Sequence, residues 1–255
     1  MKRKFILLFL CLCLVSCATP PTDPDKLAVY HQNNDPLEPY NRSMTTFNFA
    51  VNRYVYQPIA KTYRAVVPEF ARTGISNFAD NLSEPYTFVN AILQADGRAA
   101  AHSFGRFFTN TTLGVGGLFD AATYFGIDKK QKTFGQTLYK WGWKDSVPYL
   151  VLPFLGPSDL RETIGMTVGW FMDPIDYTLP RHERLQLRIV RYALHGITTI
   201  ESSTDLLSEM EKNTVDPYVK LRTMYRQNKQ KSLNEDDIEA QSKEYDIDFD
   251  FDDDE

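Results

Sequence analysis

The sequence predicts an all-α, single-domain body, and three observations carry that prediction. Asp-Pro pairs recur at Asp35-Pro36, Asp173-Pro174 and Asp216-Pro217, each reading as a helix start in which Asp caps an orphan N–H and Pro fills the first turn. Apolar side chains repeat at helical spacing, as in Leu37, Tyr40, Met44, Phe47, Val51 and Tyr54. Alternating strand patterns are scarce, with Tyr149-Leu150-Val151-Leu152 the one short candidate. Adding the starts at Pro68-Glu69, Glu84-Pro85 and Pro180, helices are expected near 36–56, 57–66, 68–80, 85–94, 97–111, 134–141, 158–171, 181–211 and 216–231.

Before the body, Lys2, Arg3 and Lys4 precede an apolar run from Phe5 to Val15, the layout of an export signal that is not part of the fold. The run is shorter than the roughly 20 apolar residues a bilayer span requires. Its ending, Leu14-Val15-Ser16-Cys17, resembles the lipobox of bacterial lipoproteins. That resemblance implies removal of a signal peptide, 1–16, and acylation of Cys17 as the new N-terminus. Ala18 stands where an Asp tends to retain such proteins at the inner membrane, which implies the outer one. Residues 17–34 then read as a lipidated tether, polar and proline-containing, with a mean reach of about 20–25 Å.

Cys11 and Cys13 leave with the signal and Cys17 carries lipid, so no thiol remains for a disulfide, a zinc site or a nucleophile. Charge is close to balanced over 17–227, which includes the helical body, 35–227. From 228 to 255 there are three basic and twelve acidic residues, read as a disordered acidic tail, either solubilising or a docking segment for a basic partner. No domain is net basic, which argues against nucleic acid as a partner.

Two helices carry unusual faces. Beside the apolar stripe of 36–56 runs an uncharged polar ladder, Asn41, Thr45, Asn48 and Asn52. Such a ladder is either a set of amides hydrogen-bonded inside a core or the wall of a wet, amphipathic passage; these residues are the channel-lining candidates. In 181–200, Arg184, Arg188, Arg191 and His195 share one narrow face while most of the circumference is apolar. That pattern fits a helix buried on two sides, or one in a membrane interface whose arginines reach phosphates. Arg184, Arg188 and Arg191 are the headgroup-contact candidates. Between these helices, apolar segments broken by glycine and proline offer gate candidates: Gly114, Gly116 and Gly117, then Trp141, Trp143, Pro153 and Gly156.

Familiar chemistry is missing. Gly114-Val115-Gly116-Gly117 lacks the third glycine of a nucleotide fingerprint. No nucleophile elbow occurs, since Gly156-Pro157-Ser158-Asp159 has the wrong spacing, and Ser158 reads as a helix N-cap ahead of Asp159 and Glu162. The four histidines, His31, His102, His182 and His195, show no metal spacing; His102 and His195 read as structural. No catalytic residue, metal or cofactor other than the Cys17 lipid is expected, and the protein is not expected to be an enzyme.

At Asp35-Pro36-Leu37-Glu38-Pro39-Tyr40-Asn41-Arg42 the chain resembles the MlaA (VacJ) lipoproteins. The likeness continues through Asn77-Phe78, Glu84-Pro85, the stretch 104–117, Phe134-Gly135-Gln136-Thr137-Leu138, Leu152-Pro153-Phe154, Gly156, Leu160-Arg161 and 203–218. Several blocks in order make the match specific, and they cover roughly 35–226. The resemblance implies a helical ring, or donut, embedded in one leaflet, with an amphipathic central channel. It implies an outer-membrane lipoprotein on the periplasmic side that removes misplaced phospholipids from the outer leaflet. The implied partners are phospholipids, trimeric outer-membrane porins and a soluble periplasmic phospholipid carrier. A porin-associated adaptor and a tethered lipid hydrolase are the alternatives.

Overall fold

A computed structural model of the chain describes residues 35–144, 147–172 and 180–248. The signal peptide, Cys17, the tether and the Asp173-Pro174 start lie outside the described residues. Helix α1, Glu38–Val51, runs through a π-helical turn, Asn52–Tyr56, into α2, Gln57–Val66. Then follow α3, Glu69–Asn81, α4, Glu84–Leu93, α5, Gly97–Thr112, and a single-turn α6, Ala121–Tyr124. Helix α7, Phe134–Lys140, precedes a hairpin of β1, Tyr149–Leu152, and β2, Gly156–Asp159. Three helices close the chain: α8, Leu160–Met172, α9, Arg181–Asn213, and α10, Pro217–Asp248. The architecture is all-α with one small antiparallel hairpin, paired Tyr149↔Asp159 through Leu152↔Gly156.

Some helix starts differ from expectation for local reasons. Asp35 does not cap α1. The helix begins at Glu38 without a side-chain cap, and Asp35 is buried, accepting from Asn41, Tyr218 and Arg222. Asp216 does cap its helix, accepting from the Val219 N–H at 3.1 Å. At α8 the cap is Asp159, which accepts from the Glu162 N–H at 2.7 Å, not Ser158, whose hydroxyl meets Thr163. Thr133 and Gln136 form a reciprocal capping box on α7.

The tail reading is corrected over 228–248, where α10 continues unbroken to Asp248. Its Lys, Gln, Glu, Ala and Leu residues are good helix formers even where few apolar groups are available to bury.

Packing runs in a closed circuit. Helix α1 packs on β1, β2 on α8, α8 on α7, α7 on α4, α4 on α5, and α5 on α3. Helix α3 packs on α9, which returns to α2, the π turn and α1. At the α7–α8 contact, a Cβ on Gly165 would lie 2.6 Å from the Gly135 nitrogen, so the backbones touch there and only glycine fits.

A ring has no single centre to fill, and the apolar core is correspondingly divided. Ala91, Ala99, Ala100 and Phe88 pack between α4 and α5, while Tyr149, Val151, Tyr218, Met44 and Tyr225 pack around β1. Among the described residues more polar than apolar side chains are buried. Large apolar groups face outward instead, including Phe70 at 80% and Tyr124 at 87% exposure, with Phe104, Phe108, Val115 and Phe119. This partition is the reverse of what water favours. No described helix is long and apolar enough to cross a membrane.

Candidate functional site

The polar ladder on α1 is occupied in holding the hairpin and α9. Asn41 is fully buried; its amide donates to the Tyr149 carbonyl at 3.0 Å and accepts from the Val151 N–H at 2.8 Å. Asn48 repeats the pattern one step along, donating to Leu152 O and accepting from the Phe154 N–H. Asn52 is buried against α9, accepting from the Thr204 hydroxyl at 2.7 Å, and Thr45 bonds back to Asn41 O. Of the two readings of this ladder, the geometry supports hydrogen-bonded core amides. Asn41, Thr45 and Asn52 are therefore not placed as a channel wall, because their polar atoms are turned into protein contacts.

The gate candidates divide. Gly116 and Gly117 adopt φ of 71° and 99°, and Gly114 lies so close to Phe119 and Asn110 that no Cβ fits. The Asn77 amide donates to Leu118 O and the Phe119 N–H to Gly114 O, which fastens this turn onto α3; none of the three glycines is in a described cavity lining. Trp141 is fixed by an Nε1–H bond to Leu93 O at 2.9 Å, and the Trp143 carbonyl accepts from Arg161. Gly114, Gly117, Trp141 and Trp143 are engaged in these local contacts, while no atom packs against the Gly116 Cβ position. Pro153 and Gly156 differ, because they flank the hairpin tip whose Leu155 lines a cavity.

That cavity, of about 470 Å³, lies between α8 and α9 and is lined chiefly by apolar surface from Leu155, Gly165, Met166, Gly169 and Tyr192. Arg188, Arg191 and His195 of α9 enter its lining, as do Ser83 and Tyr86. Arg184, one turn earlier, lies outside it. A second cavity, of about 540 Å³, sits between α3 and α9 and is polar, with Tyr63, Arg72, Ser76, Asn77, Asp80 and Thr198 in its wall. His195 belongs to both. A smaller space of about 130 Å³ beside them, lined by Lys129, Lys130 and Lys132, shares Asp80 with the polar cavity and Ser83 and Tyr86 with the apolar one. The result is an apolar chamber and a polar chamber meeting at one histidine.

His195 is the residue that sequence reasoning undervalued, although it sits on the same α9 face as the three arginines. Its Nε2 lies 2.7 Å from Ser83 Oγ, which is also within 3.1 Å of Ala79 O. His195 Nε2 and the Ala79 carbonyl thus share the Ser83 hydroxyl, which joins α9 to the α3–α4 turn. Burial, helped by the neighbouring Arg191 guanidinium, pushes the His195 pKa below its usual 6.5, so the ring is neutral near pH 7. The Arg191 Nη2 donates to Leu82 O at 2.9 Å and holds α9 against the α3–α4 turn.

A family model described as MlaA lipoprotein matches residues 33–232. The chain belongs to this family. A relative from Escherichia coli strain K12, named intermembrane phospholipid transport system lipoprotein MlaA, is 37% identical over 220 residues, covering 84% of this chain and 82% of its own. A relative of the same name from Haemophilus influenzae is 32% identical over 254 residues, 96% of each chain. A solved structure described as "Structural basis for maintenance of bacterial outer membrane lipid asymmetry" superposes with a TM-score of 0.63 at 35% identity, covering 78% of this chain and 98% of its own. Of the MlaA blocks read from the sequence, Asn77 lines the polar chamber and the hairpin-tip block flanks Leu155 of the apolar one.

Proposed function

We propose that this MlaA family member is an outer-membrane lipoprotein that takes misplaced phospholipid from the outer leaflet and passes it through its helical ring toward the periplasm, preserving lipid asymmetry. The observation that carries this reading is the meeting of an apolar and a polar chamber inside a molecule with an apolar outer face and a polar interior. Moving a bare phosphate through hydrocarbon costs many kcal/mol. A passage that keeps the headgroup on polar atoms and the acyl chains on apolar ones lowers that barrier without covalent chemistry. The names carried by the E. coli and H. influenzae relatives support the same reading.

The finer assignments extend it. The chain is anchored on the periplasmic side by lipid on Cys17, sits beside trimeric porins, and hands its cargo to a soluble periplasmic carrier. No catalytic step, metal or further cofactor is part of the proposal.

The test narrows the apolar chamber. Met166→Trp places a larger side chain in its wall, and phospholipid should then accumulate on the cell surface as in a strain lacking the protein, with unchanged protein abundance. Normal surface lipid in that variant would overturn the reading. Release of fatty acid from phospholipid by the purified protein would point to a hydrolase instead. Porin co-purification from wild-type cells, with normal asymmetry in the deletion strain, would point to an adaptor.

A further inference from the structure

On the α8 side the apolar chamber has no slack. A Cβ on Gly169 would lie 2.9 Å from the Tyr86 hydroxyl, so the Tyr86 ring is packed on the α8 backbone, and its hydroxyl accepts from the Phe134 N–H at 3.2 Å. One turn away Gly165 abuts the Gly135 backbone in the same manner. The chamber, of about 470 Å³, is therefore bounded here by close-packed backbone rather than by side chains that can swing aside. A methylene group takes up about as much room as a liquid water, roughly 30 Å³. The chamber thus holds one chain of about sixteen carbons, and two such chains need about twice its volume. The neighbouring spaces do not make up the difference. The 540 Å³ chamber has a polar wall, and the 130 Å³ space has room for about four methylenes.

Outside the chamber the apolar surface continues. Tyr192 lines the chamber, and Ile189 and Leu185 precede it on α9 by three and seven residues, which puts all three on one stripe of the helix. Each of them is more than half exposed. We propose that the apolar chamber is a single-chain site. A diacyl glycerophospholipid seats one acyl chain in it and lays the other on the stripe of Leu185, Ile189 and Tyr192, whereas a monoacyl glycerophospholipid fits complete. The site rests on the phospholipid-transport reading and deepens it in two ways. It adds monoacyl glycerophospholipids to the substrate class, and it sets a chain length beyond which a longer lipid gains nothing. The stripe is the natural place for the second chain because it starts at Tyr192, in the chamber lining, and because three large apolar groups in a row are costly to leave in water.

The experiment uses the full chain in a fluorinated surfactant, which mixes poorly with acyl chains. The probes are dipalmitoyl phosphatidylglycerol and a series of monoacyl phosphatidylglycerols with chains of about twelve to about twenty carbons, spanning the chamber's capacity. Affinity in the monoacyl series should climb by up to about fourfold per added methylene. It should level off near sixteen carbons, where the chamber is full. Met166→Trp should move that ceiling to a shorter chain. The paired substitution Leu185→Ser with Ile189→Ser, at two exposed positions, should weaken the dipalmitoyl lipid by about tenfold, the scale of lost apolar contact. It should leave the monopalmitoyl lipid unchanged. Affinity that is flat across the series, or still climbing at its longest member, overturns the single-chain site. So does a paired serine variant that binds the dipalmitoyl lipid as wild type does, or that loses the two lipids equally. Overturned in any of these ways while the dipalmitoyl lipid still binds, the single-chain site falls and the transport reading stands. If neither lipid binds and Met166→Trp leaves surface lipid normal, the transport reading falls as well.

Discussion

Asn41 joins three parts of the molecule through one side-chain amide. It donates to the Asp35 carboxylate at 2.8 Å and to Tyr149 O, and accepts from Val151 N–H. Leucine of similar size fills the space but leaves a buried carbonyl and a buried N–H without partners, each costing about 1–3 kcal/mol. Asn41→Leu should therefore lower the thermal midpoint by several degrees, on the order of 2–4 °C per kcal/mol for a body of this size. An unchanged midpoint would return Asn41 to the list of passage-lining residues. The ladder itself was legible, because amides beside an apolar stripe stand out at i, i+4 spacing. Its purpose was not, since β1 lies 108 residues away from Asn41 and nothing local announces the pairing.

Arg106 shows how elements are tied rather than residues. From α5 it bonds Glu84 of α4 at 3.0 Å, both oxygens of Asp120 at the start of α6, and the Ile127 carbonyl at 2.7 Å. Burial alone would raise the Asp120 carboxyl, but hydrogen bonds from Thr123, Arg106 and Asn110 outweigh it and hold the pKa at about 2. Because the unfolded value is near 3.8, this contribution is complete above pH 4 and is lost as pH falls toward 2. Asp120→Asn should flatten the stability–pH curve between 4 and 2, followed by denaturant unfolding; a slope as steep as wild type would contradict the assignment. Elements with strong local signals were readable, such as α10 with its Asp216-Pro217 start. Helix α6 was not, being one turn long, and neither was β2, whose Gly156-Pro157 breaks any alternation. Glycine spacing at 114–117 could not separate backbone freedom from close packing, and both occur: Gly116 holds a positive φ in open space, while Gly114 and Gly117 lie against Phe119 and Asn81.

At the level of the whole molecule, the division of polar and apolar groups predicts behaviour independent of the lipid on Cys17. A chain exported without that lipid should still float with membranes after a salt wash, because Phe70, Tyr124, Phe104 and Phe108 face outward from the body itself. Full recovery in the soluble fraction would assign all attachment to the acyl group. The all-α class was legible from helix punctuation. The ring followed from the MlaA blocks rather than from periodicity, which carries no information on how helices close. The chambers were half legible: the arginine face of α9 was visible, but the partner surfaces at Ser83 and Met166 come from distant segments.

The closed circuit of packing has a mechanical consequence. Segments fastened end to end around a perimeter act in series, so the enclosed passage dilates first wherever the fastening is softest. At α7–α8 the seam is backbone on backbone at Gly135 and Gly165, with no slack to release. Along α9 the fastening is ionic and partly solvated: Arg64 of α2 to Asp205 at 2.7 Å, Arg53 of the π turn to Glu211, and Arg72 of α3 to Glu201. Such pairs are screened by salt while a glycine seam is not. The aperture is thus compliant on one flank and rigid on the other, and ionic strength sets how far the compliant flank yields.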